Sequence, residues 1–220
     1  MIESRCAKPW CVMACSLLFF CLFATLVGGI FYGTGAGKPF LAFDQTVSHF
    51  VMAHQRGYAL FFSYKVTDLG ESGLLALLTF VIALGLWVYR LRWEATVLAS
   101  GFGLTGGSVY CLKLLTSRIP PQGALLMHST STAFPSGHAA LSLFFYGFLA
   151  YLLSRGVRKW PHKLLVWTAG GGVAGVIGAT RVYLNVHWLS DVIGGYALAA
   201  AFLSLCIGFV EMHRRFWKTG

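Results

Sequence analysis

Residues 10–32 read WCVMACSLLFFCLFATLVGGIFY, an apolar stretch without one charged side chain. Wound as an α-helix, about 20 such residues cross the roughly 30 Å hydrocarbon core of a bilayer. The stretch exceeds the apolar core of a secretory signal, which runs to about 7–15 residues. No small-residue cleavage site stands out after it, although Gly33–Gly37 is a glycine-rich exit. It is read as a retained membrane span. Further apolar stretches follow at Gly73–Tyr89, Glu94–Leu115, Ser136–Ser154, Leu164–Leu184 and Asp191–Val210. The expected fold is all-α: a polytopic membrane protein with six transmembrane helices, forming a single domain over residues 1–220.

Composition excludes an ordinary soluble domain. Of 220 residues, 57% are hydrophobic and only 11% are charged, against about 25% charged in typical globular chains. The mean hydropathy is +0.69. Between the first and second spans, Pro39–Arg56 (PFLAFDQTVSHFVMAHQR) is too polar to cross. Phe40, Phe43, Val47, Phe50 and Val51 recur there at three- and four-residue spacing, with Asp44, Gln45, Ser48 and His49 elsewhere. That pattern predicts an amphipathic helix lying in the outer interface, either a lipid-side wall for a substrate or a simple connector. His49 and His54 belong to it as interfacial polar residues.

The net charge of +10 invites a nucleic-acid reading, but its distribution argues for a membrane surface instead. Six spans place the N-terminus, the loops after spans 2 and 4, and the C-terminus on one side. Eleven of the 17 basic residues fall there: Arg5, Lys8, Arg90, Arg92, Arg155, Arg158, Lys159, Lys163, Arg214, Arg215 and Lys218. Basic loops stay in the cytoplasm and attract anionic lipids, so both termini are expected to be cytoplasmic. Lys113, Arg118 and Arg181 remain at the outer ends of spans, where an ionisable residue at membrane depth marks a candidate functional site. Four of the six cysteines, Cys6, Cys11, Cys15 and Cys21, crowd the first span or its flank. Cys111 and Cys206 lie in later spans; with no CxxC spacing, all six read as packing residues rather than metal ligands.

Two outer loops hold most of the unusual polar residues, and each leads into a long apolar helix. The first, Lys113–His138, ends in Phe134-Pro135-Ser136-Gly137-His138. Ser136 is a favoured N-cap and Gly137 allows close approach to the backbone. The free N–H groups of the helix start form a site for an anion, phosphate or carboxylate. The second loop, Thr180–Asp191, carries Arg181, His187 and Asp191. His187 and Asp191 are four apart and share a face if a helix begins near His187. Asp191 could then fix one imidazole nitrogen and leave the other nucleophilic. Arg181 offers a planar fork suited to phosphate oxygens. The plainer alternative is a buried His–Asp pair beside a snorkelling Arg.

PSGH at 135–138, with R-x5-H-x3-D at Arg181, His187 and Asp191, resembles the second and third signatures of the type 2 phosphatidic acid phosphatase (PAP2) superfamily. The motif likeness covers Lys113 to Asp191, and the helical plan extends it over nearly the whole chain. The resemblance implies a membrane lipid phosphatase working through a phosphohistidine, without metal or other cofactor, on a lipid phosphate at the outer face of a bacterial inner membrane. It implies His187 as nucleophile, Asp191 as its orienting partner and His138 as general acid. Lys113, Ser136, Gly137 and Arg181 would cradle the phosphate. Implied substrates include undecaprenyl pyrophosphate, phosphatidylglycerophosphate, phosphatidate and lipid A.

One departure stands out. The family's first signature, K-x6-R-P, places its Arg where this chain has Pro120, so Arg118 is the candidate to take over that phosphate contact. Thr180 replaces the usual Ser before the Arg, and His128 is a loop histidine. A phosphotransferase would use the same residues, and Pro120 leaves open a binding or transport protein without turnover. The glycines at 101, 103, 106 and 107, and at 170, 171, 172, 175 and 178, suggest close helix packing within the bundle or between copies. Oligomeric state is not legible.

Overall fold

In the computed structural model, residues 9–31, 37–122 and 132–217 are described, and their regular structure is entirely helical. Eight α-helices follow in chain order: α1 (Pro9–Phe31), α2 (Gly37–His54), α3 (Gly57–Thr67), α4 (Ser72–Val88), α5 (Arg92–Thr116), α6 (Gly137–Gly156), α7 (Trp160–Tyr183) and α8 (Leu189–Trp217). A 3-10 turn, Asp68–Gly70, joins α3 to α4. Five helices (α1, α5, α6, α7 and α8) are long and apolar enough to cross a membrane. The α3–turn–α4 pair, bent by 41°, can make a sixth span. Taken as one span, this pair is longer than the expected Gly73–Tyr89. The expected histidine at position 128 lies outside the described residues.

The centre of the bundle is α6 and α8, the two helices that follow the motif loops. In each, 61% of the most apolar window is buried, against 11% in α1. α8 lies against α1, α6 and α5, while α6 also meets α7. Phe134, Phe144, Phe148, Leu198 and Val210 are sealed inside. The glycine-rich stretches divide. A Cβ on Gly101 would meet the Phe144 ring at 2.4 Å, and one on Gly178 the Tyr196 hydroxyl at 2.0 Å. A Cβ on Gly103, Gly107, Gly171, Gly172 or Gly175 would meet no atom of another part of the chain within 4 Å. Close packing within the bundle therefore accounts for only part of the pattern.

The amphipathic helix predicted over Pro39–Arg56 is α2, and its faces are reversed relative to a soluble protein. Asp44 is 1% exposed and Ser48 is buried, whereas Phe43 and Phe50 are 55% and 62% exposed. α3, which the periodicity did not announce, follows the same rule: Ser63 and Thr67 point inward, and Tyr58, Phe61 and Phe62 outward. A surface that meets hydrocarbon turns its apolar side outward and satisfies its polar groups against protein.

Candidate active site

The turn before α6 is pinned to the start of α8. Ser136, extended at φ −70° and ψ 115°, holds the N-cap position of α6 without a side-chain capping bond and donates its N–H to the Asp191 carbonyl at 3.0 Å. A Cβ on Gly195 would stand 2.6 Å from the Ser136 carbonyl oxygen, so glycine there permits the approach. The Phe134 ring stacks on Phe23 of α1 with centroids 6.0 Å apart. At the other edge, the Thr116 hydroxyl donates to the Phe134 carbonyl at 3.0 Å, and the Ala133 N–H to the Arg118 carbonyl at 2.8 Å. The two motif loops are one hydrogen-bonded unit.

The second loop turns sharply between α7 and α8. Asn185 adopts a left-handed conformation at φ 54°, which Asn tolerates better than most residues. The Val186 N–H then donates to the Arg181 carbonyl at 3.2 Å. At the start of α8, Asp191 Oδ2 accepts the Trp188 N–H at 2.8 Å, the reciprocal bond of a capping box. The same oxygen lies 3.6 Å from His187 Nδ1. That is ion-pair reach rather than a hydrogen bond, and it turns Nδ1 toward the carboxylate. His187 is 7% exposed. Burial pushes its imidazole below the ordinary range, opposed by Asp191 and reinforced by Arg181 and Lys113. The neutral form is favoured at pH 7.

Around these turns gather the remaining cations. Arg181, in the last turn of α7, is 9% exposed, and its Nη1 donates to the Thr67 hydroxyl of α3 at 3.0 Å. Lys113 Nζ donates to the Thr132 carbonyl, and the Thr132 hydroxyl returns to the Lys113 carbonyl at 3.0 Å. The His138 ring faces Gly70, whose added Cβ would lie 3.4 Å from it.

Buried polar atoms nearly always find partners. Among the described residues four side-chain atoms do not: Thr79 Oγ1, Ser136 Oγ, Arg181 Nε and His187 Nδ1. Three of the four belong to residues singled out from the sequence. Ser136 Oγ and Arg181 Nε are donors of the kind that a tetrahedral oxyanion accepts from. No group of three or more His, Cys, Asp or Glu among the described residues is arranged to hold a metal ion.

Arg118 stands differently from the phosphate ligand expected of it. Its Nη1 meets Asp191 Oδ1 and the Ser190 hydroxyl, the latter at 2.8 Å, and its Nη2 meets Asp44 Oδ2 at 2.7 Å. Both terminal nitrogens are thereby engaged by carboxylates. Asp44 further accepts the Ser190 N–H at 3.0 Å and the Ser190 hydroxyl at 2.5 Å. No sequence signal pointed to this, because Asp44 read as one polar position on an interfacial helix. On the far side of Arg118 opens a cavity of about 560 Å³, lined in part by Gln45, Ser48, His49, Gln122 and Trp188. His54 is occupied within α2, with Nδ1 2.8 Å from the Phe50 carbonyl.

The PAP2 superfamily model matches residues 11–215. Phosphatidylglycerophosphatase B of Bacillus subtilis (strain 168) is 36% identical over 155 residues, which cover 69% of this chain and 75% of that protein. The crystal structure of a transmembrane PAP2-type phosphatidylglycerolphosphate phosphatase from Bacillus subtilis superimposes with a TM-score of 0.81 at 30% identity, covering 92% of this chain and 98% of the other. Aquifex aeolicus LpxE shares the fold, with a TM-score of 0.53 at 19% identity over 76% of this chain and 93% of its own. The chain belongs to the PAP2 superfamily and is a membrane-embedded lipid phosphatase, a phosphoric-ester hydrolase.

Proposed function

We propose that the protein hydrolyses the terminal phosphomonoester of phosphatidylglycerophosphate, or of a lipid phosphate closely like it, through a phosphohistidine on His187. The carrying observation is the pair of unpaired buried donors, Ser136 Oγ and Arg181 Nε, with the Ser136 turn tied by its backbone to the start of α8, where Asp191 faces His187. The substrate follows from the relatives named for phosphatidylglycerophosphate. The domain is one catalytic unit over 1–220, with its chemistry in 113–191.

In the first step His187 Nε2 attacks phosphorus and the P–O ester bond breaks. His138 gives its proton to the departing lipid alkoxide, so the alcohol leaves neutral. Arg181, Lys113, the Ser136 hydroxyl and the Gly137 backbone stabilise charge on the transferring oxygens. In the second step His138 takes a proton from water, the water oxygen bonds to phosphorus, and the P–N bond breaks to release inorganic phosphate. Asp191 holds the His187 ring and stabilises its positive form. Arg118 acts on Asp191 rather than on phosphate.

The asymmetry of basic residues supports cytoplasmic termini and an active site on the extracytoplasmic face of a bacterial plasma membrane. A single cysteine at position 122, with the native cysteines replaced, should react with an impermeant maleimide added to intact cells. Labelling only after permeabilisation would reverse the orientation. For activity, purified protein in micelles should release phosphate from short-chain phosphatidylglycerophosphate faster than from short-chain phosphatidate, and His187→Ala should release none. Equal, negligible release by wild type and variant would favour a binding or transport role.

A further inference from the structure

We propose that Asp44, on α2, is a positioning residue for phosphoryl transfer, acting through Arg118 and Ser190 on Asp191 and thereby on His187. Hydrogen bonds run from Asp44 to Asp191, and the last link, to His187, is an ion-pair approach. Asp44 Oδ2 accepts from Arg118 Nη2 at 2.7 Å and from the Ser190 hydroxyl at 2.5 Å. Its Oδ1 accepts the Ser190 N–H at 3.0 Å, taking up a free donor of the first turn of α8. Arg118 Nη1 reaches Asp191 Oδ1, and Asp191 Oδ2 faces His187 Nδ1 at 3.6 Å.

Charge explains why a second carboxylate belongs in this cluster. Both aspartates have fully buried side chains, and Arg118 is 11% exposed. With Asp191 alone, Arg118 would cancel the one negative charge that faces His187. With Asp44 on its other nitrogen, Arg118 is shared, and the three groups together keep a net charge of −1. Imidazole gains positive character as it bonds to phosphorus, so that residual charge favours the transition state. The chain also couples a wall helix to the chemistry: α2 carries Asp44 at its polar face while Phe43 and Phe50 face outward. Correct seating of α2 against α8 therefore becomes a condition for turnover.

This inference rests on His187 being the nucleophile, and a double-mutant cycle tests it separately. Phosphate release from short-chain phosphatidylglycerophosphate is measured for wild type, Asp44→Asn, Asp191→Asn and the double variant. Asp44→Asn should lower kcat about 10–100-fold, with KM within about 2-fold because Asp44 does not touch the phosphate. In the Asp191→Asn background the same substitution should cost less than about 3-fold, since its target is gone. A substitution that merely unfolded part of the protein would lower both backgrounds equally, and that outcome overturns the proposal. If Asp44→Asn does not yield folded protein, Ser190→Ala runs the same cycle with an expected loss of about 3-fold, and equal losses in both backgrounds are again fatal. Wild type without His187-dependent release would defeat the nucleophile assignment. An active wild type matched by Asp44→Asn would defeat only the role of Asp44.

Discussion

The two turns at 135–138 and 181–191 and the wall formed by α2 and α3 build one site by opposite means. The turns put their polar residues where a polar ligand arrives, at helix ends with free backbone donors. The wall puts its polar residues where the turns need support: Asp44 under Ser190 and Arg118, Ser48 on Asn185 at 2.7 Å, and Thr67 on Arg181. Its aromatic residues face outward. In the proposed mechanism the turns supply the reacting groups, and the wall fixes their placement. Substitutions in the turns should therefore abolish chemistry, and those in the wall should grade it.

The largest expected effect belongs to His187→Ala, which removes the attacking nitrogen and should reduce phosphate release by at least about 10⁴-fold. Retained folding, checked by circular dichroism, would show that the loss is chemical. Next comes Arg181→Ala, expected to cost about 10²–10³-fold in kcat/KM, the range for deleting one transition-state charge donor. Arg181→Lys should recover only part of this, because an ammonium lacks the planar fork.

The pH profile sharpens the account of the turns. His187 must be neutral to attack, and burial lowers its pKa. The acidic limb of kcat/KM should therefore fall below about pH 6.5, the ordinary histidine value, with activity lost as pH drops through the His187 pKa. Activity that rises as pH falls below about 6.5 would contradict this role.

The smallest effects should separate the two faces of the wall. Ser48→Val leaves Asn185 Oδ1 without the Ser48 donor and should cost about 1–3 kcal/mol of stability, read as a lower Tm in micelles. Phe50→Ser, on the outward face, should change kcat by less than about 2-fold in micelles, because no site residue rests on it. A larger kcat loss from Phe50→Ser than from Ser48→Val would break the distinction between the faces.

Much of this molecule is legible in its sequence because a bilayer imposes a length rule. Spans starting near Trp10, Glu94, Ser136, Leu164 and Asp191 sit within a few residues of α1, α5, α6, α7 and α8. The approach of His187 and Asp191 was legible by spacing, and so was Ser136 at the N-cap position of α6, although its side chain makes no capping bond there. α3 was not, since eleven residues do not reach across a membrane and its apolar positions face outward. The true partners of Arg118 were hidden for a topological reason. Asp44 lies 74 positions away in sequence and Asp191 lies 73 away, so only the folded chain brings them together. The Pro120 departure drew attention to Arg118 as a substitute phosphate donor, whereas the geometry directs its terminal nitrogens to carboxylates.

The central claim is that His187 Nε2 forms a bond to phosphorus held by the Ser136 turn and Arg181. The most direct measurement is rapid alkaline quenching of wild type mixed with lipid labelled in its terminal phosphate, followed by peptide mapping. The account predicts an alkali-stable, acid-labile label on the peptide containing His187, absent from His187→Ala. Turnover that leaves no label on the protein and survives His187→Ala would contradict it.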